Sequence, residues 1–515
     1  MPVDRRQFLR QSVCAALGGA SLYSALGNLR LVQAAARQSA YSFGDYKALV
    51  CVYLSGGNDS FNTVAPFDAT TYATYAGSRH DLALPQAVLQ ANALSPLAAS
   101  GGLPGGVPSD GGSYGLHPAL GDMSATTYGG IPGNAGLRAL FNSGKAAVVA
   151  NVGTLLYPVT QAQFQAGSLA TPPQLFSHDD QTTQWQTSRP DDANSTGWGG
   201  RIADLLQAGN ANQNLPMSFS LAGQNVFQRG AVVNQYAVDA YGAAQAAALC
   251  GQPDQYCFSV DEMDYLGNGP GSWIMDTAAS TLADNATAYN ALIAAGTQAN
   301  ALERAYANAH GRAISNYTAL NGALSGLTLA TKFPDSDLGN QLAAIALLLK
   351  VHGSLGMNRQ VFFVSAGAYD THGDQLATQH DNLLDLGQSL NAFYNATVEL
   401  GIDGSVTAFT ASEFGRSLAV NADGTDHGWG GHHFVVGGAV RGQRFYGAMP
   451  SLLAGTDANP NLNPDDTGYG QIIPTLAVDQ YAATLASWFG VDAGGIADIF
   501  PNLGRFSSGN LGFMT

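Results

Sequence analysis

Residues 368–375 read Ala-Tyr-Asp-Thr-His-Gly-Asp-Gln and follow the apolar run 361–365, Val-Phe-Phe-Val-Ser. The run predicts a strand that is buried on both faces of a sheet. Asp370, His372 and Asp374 then lie within five residues of one another where this strand ends. Carboxylates and an imidazole at this spacing can converge on a divalent cation. Because ligand sites in open α/β sheets gather at the carboxyl ends of strands, the stretch predicts a metal site there.

Other predicted strands carry similar side chains at their ends. The apolar run 48–54 leads into a Gly-Gly-Asn-Asp turn that places Asp59 after the first strand. Glu413 follows a predicted strand at 405–410, and Asp426-His427 precedes a strand that begins at Phe434. His432 also lies just before this strand, so it could replace His427 as a ligand. Asp59 has a second interpretation, since Asn-Asp pairs commonly cap turns.

Alternating strands and helices predict an α/β fold with a largely parallel central sheet and helices on both faces. Another buried strand is predicted at 146–152, and acidic residues at 335–337 can cap an amphipathic helix. Residues of about 235–330 are rich in Ala and Asn. We expect this stretch to form a helical insertion within one domain that spans residues 37–515.

The first 36 residues are typical of an export signal rather than of a folded domain. Arg5-Arg6 and Phe8-Leu9 precede a short apolar stretch, and small residues follow at 34–36. This pattern resembles a twin-arginine signal, which implies the twin-arginine export machinery as a partner. We therefore expect a periplasmic or extracellular protein without an integral membrane segment in the mature chain, since the apolar stretch is too short to span a bilayer comfortably.

Net charge narrows the choice of partners. Cleavage after Ala36 removes four of the 21 basic and one of the 37 acidic residues, which leaves a formal charge of −19. Such a surface argues against nucleic acid as a partner.

Cys250 and Cys257 could close a small disulfide loop in an oxidising compartment, but the sequence does not decide whether they do.

These segments together resemble the alkaline-phosphatase-like superfamily of phosphatases, sulfatases and phosphoglycerate mutases. In detail the chain looks most like a twin-arginine-exported bacterial family of unknown function, domain of unknown function 1501. The resemblance rests on four segments: 52–60 (Val-Tyr-Leu-Ser-Gly-Gly-Asn-Asp-Ser), 369–373 (Tyr-Asp-Thr-His-Gly), 412–416 (Ser-Glu-Phe-Gly-Arg) and 425–428 (Thr-Asp-His-Gly). It implies an alkaline-phosphatase-like fold that binds divalent metal ions, whether zinc, manganese or calcium.

The resemblance also implies roles for individual residues. The implied metal ligands are Asp59, Asp370, His372, Glu413, Asp426, His427 and His432. Thr160 stands where the superfamily carries its nucleophile, although Thr is equally typical of a helix N-cap. One departure is that Ser412-Glu413 stands where the superfamily has Asp-His. The site therefore holds one metal, or has a rearranged ligand set, or has lost catalysis.

Two further residues have open roles. His178, beside Asp179 and Asp180, could bind substrate or act as a general acid, or belong to a solvated loop. Arg416 could bind an oxyanion or pair with Glu413. The leading hypothesis is an exported metal-dependent hydrolase of phosphate or sulfate esters, with a small-molecule or polymeric substrate. The alternative is a non-catalytic exported protein that uses the same fold for binding or surface assembly.

Overall fold

The computed structural model describes most of the chain from residue 41 to residue 515. The residues outside the description are 1–40, 100–103, 122–126, 129–130, 133–134, 193, 241–257, 260–314, 317–318, 321, 325, 456–458 and 460. The expected export signal at residues 1–36 therefore lies outside the described residues, as do Cys250, Cys257 and most of the expected helical insertion. In the described part, no helix is long and apolar enough to cross a membrane.

The strands are short except for those that form the centre of the sheet. In chain order they are β1 Lys47–Leu54, β2 Val64–Pro66, β3 Tyr114–Leu116, β4 Thr127–Tyr128, β5 Ile131–Pro132, β6 Ala146–Gly153, β7 Ser218–Ser220, β8 Tyr236–Ala237, β9 Asp239–Ala240, β10 Phe258–Ser259, β11 Arg359–Ala366, β12 Val406–Ala411, β13 Arg416–Val420, β14 Thr425–His427, β15 Gly431–Gly437, β16 Phe445–Tyr446 and β17 Leu476–Ala477.

The helices connect these strands, and most of the longer ones carry an apolar stripe. They are α1 Ser60–Thr63, α2 Ala69–Arg79, α3 Gln86–Ala91, α4 Leu137–Asn142, α5 Gln161–Ala166, α6 His178–Thr187, α7 Trp198–Leu206, α8 Asp337–Lys350, α9 Gln375–Glu399, α10 Val478–Phe489 and α11 Ala493–Ile499. Helix α8 begins after Ser336, whose hydroxyl accepts the backbone N–H of Gly339 as an N-cap.

The central sheet has the strand order β16-β6-β15-β12-β1-β11-β7-β8, with β17 also paired to β6. Strand β15 runs antiparallel to both of its neighbours, β12 and β6, and the other pairs in this sheet are parallel. The predicted mixed α/β architecture with a largely parallel sheet is confirmed.

Both faces of the sheet are covered by helices, and β1 shows why. Its alternate residues Val50 and Val52 pack in a core with helices α8 and α9. Cys51 and Tyr53 point the other way, into a second core with helices α7 and α10. A strand that is apolar at every position can bury both faces only between two such layers.

One edge of the sheet collects the polar loops. Strands β1, β11 and β12 are neighbours in register, with Leu54 opposite Ala366 and Tyr53 opposite Ala411, so their carboxyl ends lie side by side. Because β15 is antiparallel, its amino end and the hairpin of β13 and β14 before it reach this same edge. The chain reversal at β15 therefore brings His427 to the loops that carry Asp370 and Glu413.

Candidate metal centre

Asp370 is held in place by a close approach between two loops. The backbone N–H of Tyr369 donates to the Ser55 carbonyl, which ties the loop after β11 to the loop after β1. Gly56 has φ +118, and a Cβ atom at this position would lie 2.4 Å from the Asp370 nitrogen. Only glycine permits both that conformation and that separation. The first glycine of the Gly-Gly-Asn-Asp turn thus lets the two loops approach closely enough to fix the position of Asp370.

His427 is oriented by the backbone on the far side of the cluster. Its Nδ1 donates to the carbonyl oxygen of Phe176 at 2.7 Å, which leaves the Nε2 lone pair free. Phe176 has φ 72, and its N–H donates to the buried side chain of Gln181 on helix α6. Burial is the main cause that lowers the pKa of His427, and His178 and Arg416 add to it, whereas the Phe176 hydrogen bond and the charge of Asp370 oppose it.

His178 is the first residue of helix α6 and points towards Asp370. Its Nδ1 donates to Glu413 Oε1 at 2.9 Å, and its Nε2 lies 3.5 Å from Asp370 Oδ2. Glu413 is buried and also accepts the Gly56 N–H at 2.8 Å. A carboxylate that accepts the second nitrogen of a histidine is a common arrangement behind metal ligands, because it fixes the tautomer and the ring.

His372 completes the cluster at its solvent side. Its Nε2 lies 2.9 Å from His427 Nε2 and 3.1 Å from Asp370 Oδ1, and its Nδ1 faces Asp426 Oδ1 at 3.3 Å. The imidazole is 46% exposed and the Asp426 side chain 63% exposed. The pair therefore lies where substrate or water can reach it.

His178, Asp370 and His427 form a possible metal-binding triad. One ligand atom from each lies within 4.8 Å of the others. Of the predicted metal ligands, the structure thus brings together Asp370, His372 and His427. Glu413 and Asp426 lie one contact further out, as partners of His178 and His372. His178, expected to bind substrate, to act as a general acid or to belong to a solvated loop, is one of the three residues of this possible triad.

Phe414 holds two of these imidazoles from behind. Its ring stacks on His427 with centroids 4.7 Å apart and lies 4.9 Å from His178. Gly57 has φ +84, and a Cβ there would come within 2.3 Å of the Phe414 ring. The second glycine of the turn therefore makes room for an aromatic ring that restrains both histidines.

Arg416 does not present a free guanidinium to solvent. It is fully buried, and its Nη1 donates to Asp370 Oδ1 at 2.5 Å and to the Gly56 carbonyl. Its Nε and Nη2 donate to the side chain and backbone of Thr425. Burial alone would raise the pKa of Asp370, but Arg416, His372 and His178 together lower it, so Asp370 is ionised at neutral pH. Arg416 thus forms its ion pair with Asp370 rather than with Glu413.

Asp59 lies beside the cluster but is turned away from it. Its Oδ1 accepts the N–H groups of Phe61 and Asn62, as expected of a residue that caps a turn. Its Oδ2 pairs with the buried guanidinium of Arg79 and accepts Nε2 of Gln375. Each carboxylate oxygen thus accepts two hydrogen bonds from protein groups, which fits the capping interpretation and leaves Asp59 less suited to bind a cation.

Two other expected site residues, Thr160 and His432, form hydrogen bonds with groups outside the cluster. Thr160 is exposed and forms an N-terminal capping box with Gln163 on helix α5, so the cap interpretation holds here too. His432 lies buried within β15 and accepts the Asn151 N–H on Nδ1 at 3.0 Å. Burial lowers the pKa of His432 to about 4. It packs edge-on against Phe61 and forms part of the protein interior rather than of the cluster.

These features define a mixed α/β protein with a cluster of imidazole and carboxylate side chains at the edge where strands β1, β11 and β12 end. A family model described as Protein of unknown function (DUF1501) matches residues 46–466. The chain therefore belongs to this family, as the sequence predicted. The match covers every residue of the cluster. A search of curated proteins found no match to the chain.

Proposed function

We propose that the cluster binds one divalent cation through His178, Asp370 and His427, and that the protein is an exported metal-dependent hydrolase of phosphate or sulfate esters. The single observation that carries the proposal is the orientation of the imidazoles. The Nδ1 of His178 and of His427 each donates to a protein oxygen, so both Nε2 lone pairs face the Asp370 carboxylate. Converging lone pairs beside a carboxylate suit a cation.

The donor set narrows the choice of ion. Two imidazole nitrogens and one carboxylate, with a third imidazole adjacent, favour zinc or manganese. Calcium prefers sites made of oxygen ligands alone, so it is the least suitable of the three ions considered from the sequence. With Asp59 paired to Arg79, the ligands suffice for one ion rather than two.

A cation held by this triad would supply Lewis acidity towards an ester oxygen. The side chains around it supply the remaining chemistry. His372 and Asp426 form an exposed pair in which Nδ1 lies 3.3 Å from Asp426 Oδ1 and Nε2 faces the cluster. His372 Nε2 can take a proton from an attacking water molecule as a general base. Arg416 holds Asp370 in its ionised form throughout.

Acidic side chains around the cluster influence which substrate charge the site can accept. The exposed side chains of Asp179, Asp374 and Asp426 each lie within two residues of a cluster residue in sequence, and exposed Asp423 accepts the backbone N–H of Asp374. Their repulsion opposes a doubly charged phosphate monoester. Phosphodiesters and sulfate monoesters carry one negative charge and are therefore the substrates that we favour.

One observation supports the alternative of a non-catalytic binding protein. Within the described part of the chain, no serine or threonine hydroxyl forms a hydrogen bond with His178, Asp370, His372 or His427, and Thr160 is occupied as a cap. Hydrolysis must then proceed by direct attack of water. If it does not occur, the same cation would have a structural or binding role.

The test is metal analysis of the purified mature protein, followed by hydrolysis assays with aryl phosphate monoesters, aryl phosphodiesters and aryl sulfates. We expect one equivalent of zinc or manganese, and turnover that is lost on chelation and in the variant Asp370→Asn. Thr160→Ala is the control, which should retain both metal and turnover. Bound metal without turnover on any ester would favour the binding protein, and a protein that takes up no metal would contradict the metal-dependent hydrolase.

A further inference from the structure

We propose that the buried Asp59–Arg79 pair positions the metal-facing carboxylate of Asp370 through a chain of hydrogen bonds, and that Gln375 and Thr425 are the positioning residues that form this chain. The inference rests on the proposed metal centre. It assigns a role to Asp59 that replaces the direct ligation expected from the sequence.

The chain of contacts is continuous between the two carboxylates. Gln375 Nε2 donates to Asp59 Oδ2, and Gln375 Oε1 accepts the Thr425 hydroxyl at 2.7 Å. Thr425 Oγ1 in turn accepts Nε of Arg416 at 3.2 Å. Arg416 Nη1 then donates to Asp370 Oδ1. Asp59, Gln375, Thr425 and Arg416 are all almost fully buried, so water does not compete for these bonds.

The charge of Asp59 sets the direction of the first two hydrogen bonds, from Gln375 to Asp59 and from Thr425 to Gln375. A carboxylate only accepts, so the Gln375 amide must turn its NH₂ group towards Asp59 and its oxygen towards Thr425. The Thr425 hydroxyl must then donate to Gln375, which leaves its lone pair for Arg416. The guanidinium is thereby fixed in the plane from which Nη1 reaches Asp370.

Arg79 keeps Asp59 ionised without a metal ion. The guanidinium is completely buried and donates to Asn62 Oδ1 and to the carbonyl oxygens of Ser417 and Leu418, in addition to Asp59. A buried carboxylate is stable as an anion only when it is paired and hydrogen-bonded in this way. Arg79 thus supplies a fixed positive charge next to the centre, where a second metal ion would otherwise be needed to balance Asp59.

Helix α9 offers a matched control. Gln379 lies one turn after Gln375, is equally buried, and donates to the backbone carbonyl of Asp59 rather than to its carboxylate. Its described contacts are with Asp59 and Thr63, and none is with Thr425. Replacing either glutamine by methionine removes one buried amide of similar size, but only Gln375→Met breaks the chain to Arg416.

The experiment measures the affinity of metal-free protein for Zn²⁺ by competition with a chelating dye, together with thermal unfolding. We expect Gln375→Met to weaken Zn²⁺ binding about tenfold, the loss typical of partners behind a metal ligand, while Gln379→Met binds as the wild type does. Thr425→Val, which lacks the hydroxyl, should show the same loss as Gln375→Met, and Thr425→Ser should restore the affinity.

The outcomes separate this inference from the proposed metal centre. Equal Zn²⁺ affinity for the wild type, Gln375→Met and Thr425→Val would overturn the positioning role and leave the centre intact. Failure of the wild type to bind Zn²⁺ would overturn the centre and the positioning role together. The thermal unfolding curves show whether a variant has lost stability. If Thr425→Val has, the Zn²⁺ affinity of Thr425→Ser decides whether the hydroxyl has a positioning role, because this variant keeps the hydroxyl and removes only a methyl group.

Discussion

The Nε2 atoms of His372 and His427 lie 2.9 Å apart although the Nδ1 atom of each ring faces an oxygen acceptor. If each ring carries its proton on Nδ1, two lone pairs face each other across this gap. Such a contact is repulsive unless a proton or a cation lies beside it. Asp370 Oδ1 is within 3.3 Å of both nitrogens and supplies the matching negative charge. A cation held by His178, Asp370 and His427 would engage the His427 lone pair and relieve this repulsion.

The first prediction separates the base from the ligands. His372→Gln should lower the rate of ester hydrolysis by about 100-fold or more, the usual contribution of a general base, and leave the affinity for Zn²⁺ within about twofold of the wild type. His427→Gln should lose metal and activity together. Steady-state kinetics at saturating metal measures the hydrolysis rate of each variant. A Zn²⁺ titration of the same variant measures its affinity for the metal. Equal loss of metal from both variants would show that His372 is a ligand.

A second prediction concerns the carboxylate behind His178. Glu413→Gln keeps an oxygen for the His178 Nδ1–H and the Gly56 N–H but removes the charge that strengthens both bonds. We expect Zn²⁺ affinity to fall about tenfold, as is typical for such partners. Asp204→Asn is the control, since Asp204 is also buried but accepts from the backbone of residues 231–233. An equal fall in both variants would point to a general loss of structure.

The third prediction tests the packing of Gly57 against Phe414. Gly57→Ala requires an unfavourable positive φ and also drives Cβ into the aromatic ring. Gly144→Ala has the same positive φ but meets nothing within 4 Å. We expect Gly144→Ala to cost about 1 kcal/mol of unfolding free energy, and Gly57→Ala to cost about 2–4 kcal/mol and to weaken metal binding. Chemical denaturation of both metal-free variants provides the measurement, and equal costs would contradict the packing role.

The fourth prediction is a loss of stability in acid that arises from His432. The folded protein keeps this buried ring neutral, with its pKa lowered to about 4, whereas the unfolded chain protonates it near the ordinary value of 6.5. The stabilisation is therefore fully present above pH 6.5 and is lost as the pH falls towards 4, by on the order of 3 kcal/mol.

His432→Asn provides the control for this effect, because its amide oxygen can accept the Asn151 N–H without titrating. Denaturation curves between pH 7 and pH 4 should show a shallower loss for the variant than for the wild type. Parallel curves would mean that other groups, such as buried His433, account for the acid sensitivity.

Local patterns of apolar residues predict much of the fold, but they do not predict how every strand pairs. The runs that became β1, β6 and β11 are apolar at nearly every position, which requires cover on both faces and hence an α/β layer structure. The reversal of β15 depends on which strands it pairs with, and no local sequence feature records that.

Local patterns likewise predict some residues of the candidate site and not others. Asp370, His372 and His427 stand next to predicted strands and could be found from their spacing alone. The roles of Asp59 and Glu413 are set by Arg79 and His178, which come from other elements and are paired with them only by the fold. The contributions of Gln375, Thr425, Phe414 and the Phe176 carbonyl were missed, because glutamine, threonine and phenylalanine within or beside secondary structure carry no distinctive pattern.

The most direct test of the central claim is X-ray diffraction from Zn²⁺-loaded crystals, with data collected on both sides of the zinc absorption edge. We predict one anomalous peak per chain, about 2.0–2.2 Å from Nε2 of His178, Nε2 of His427 and a carboxylate oxygen of Asp370. No peak should appear beside Asp59, whose oxygens are bound to Arg79 and Gln375. A map without a peak among the three triad residues, or with the zinc bound to Asp59, would contradict the account.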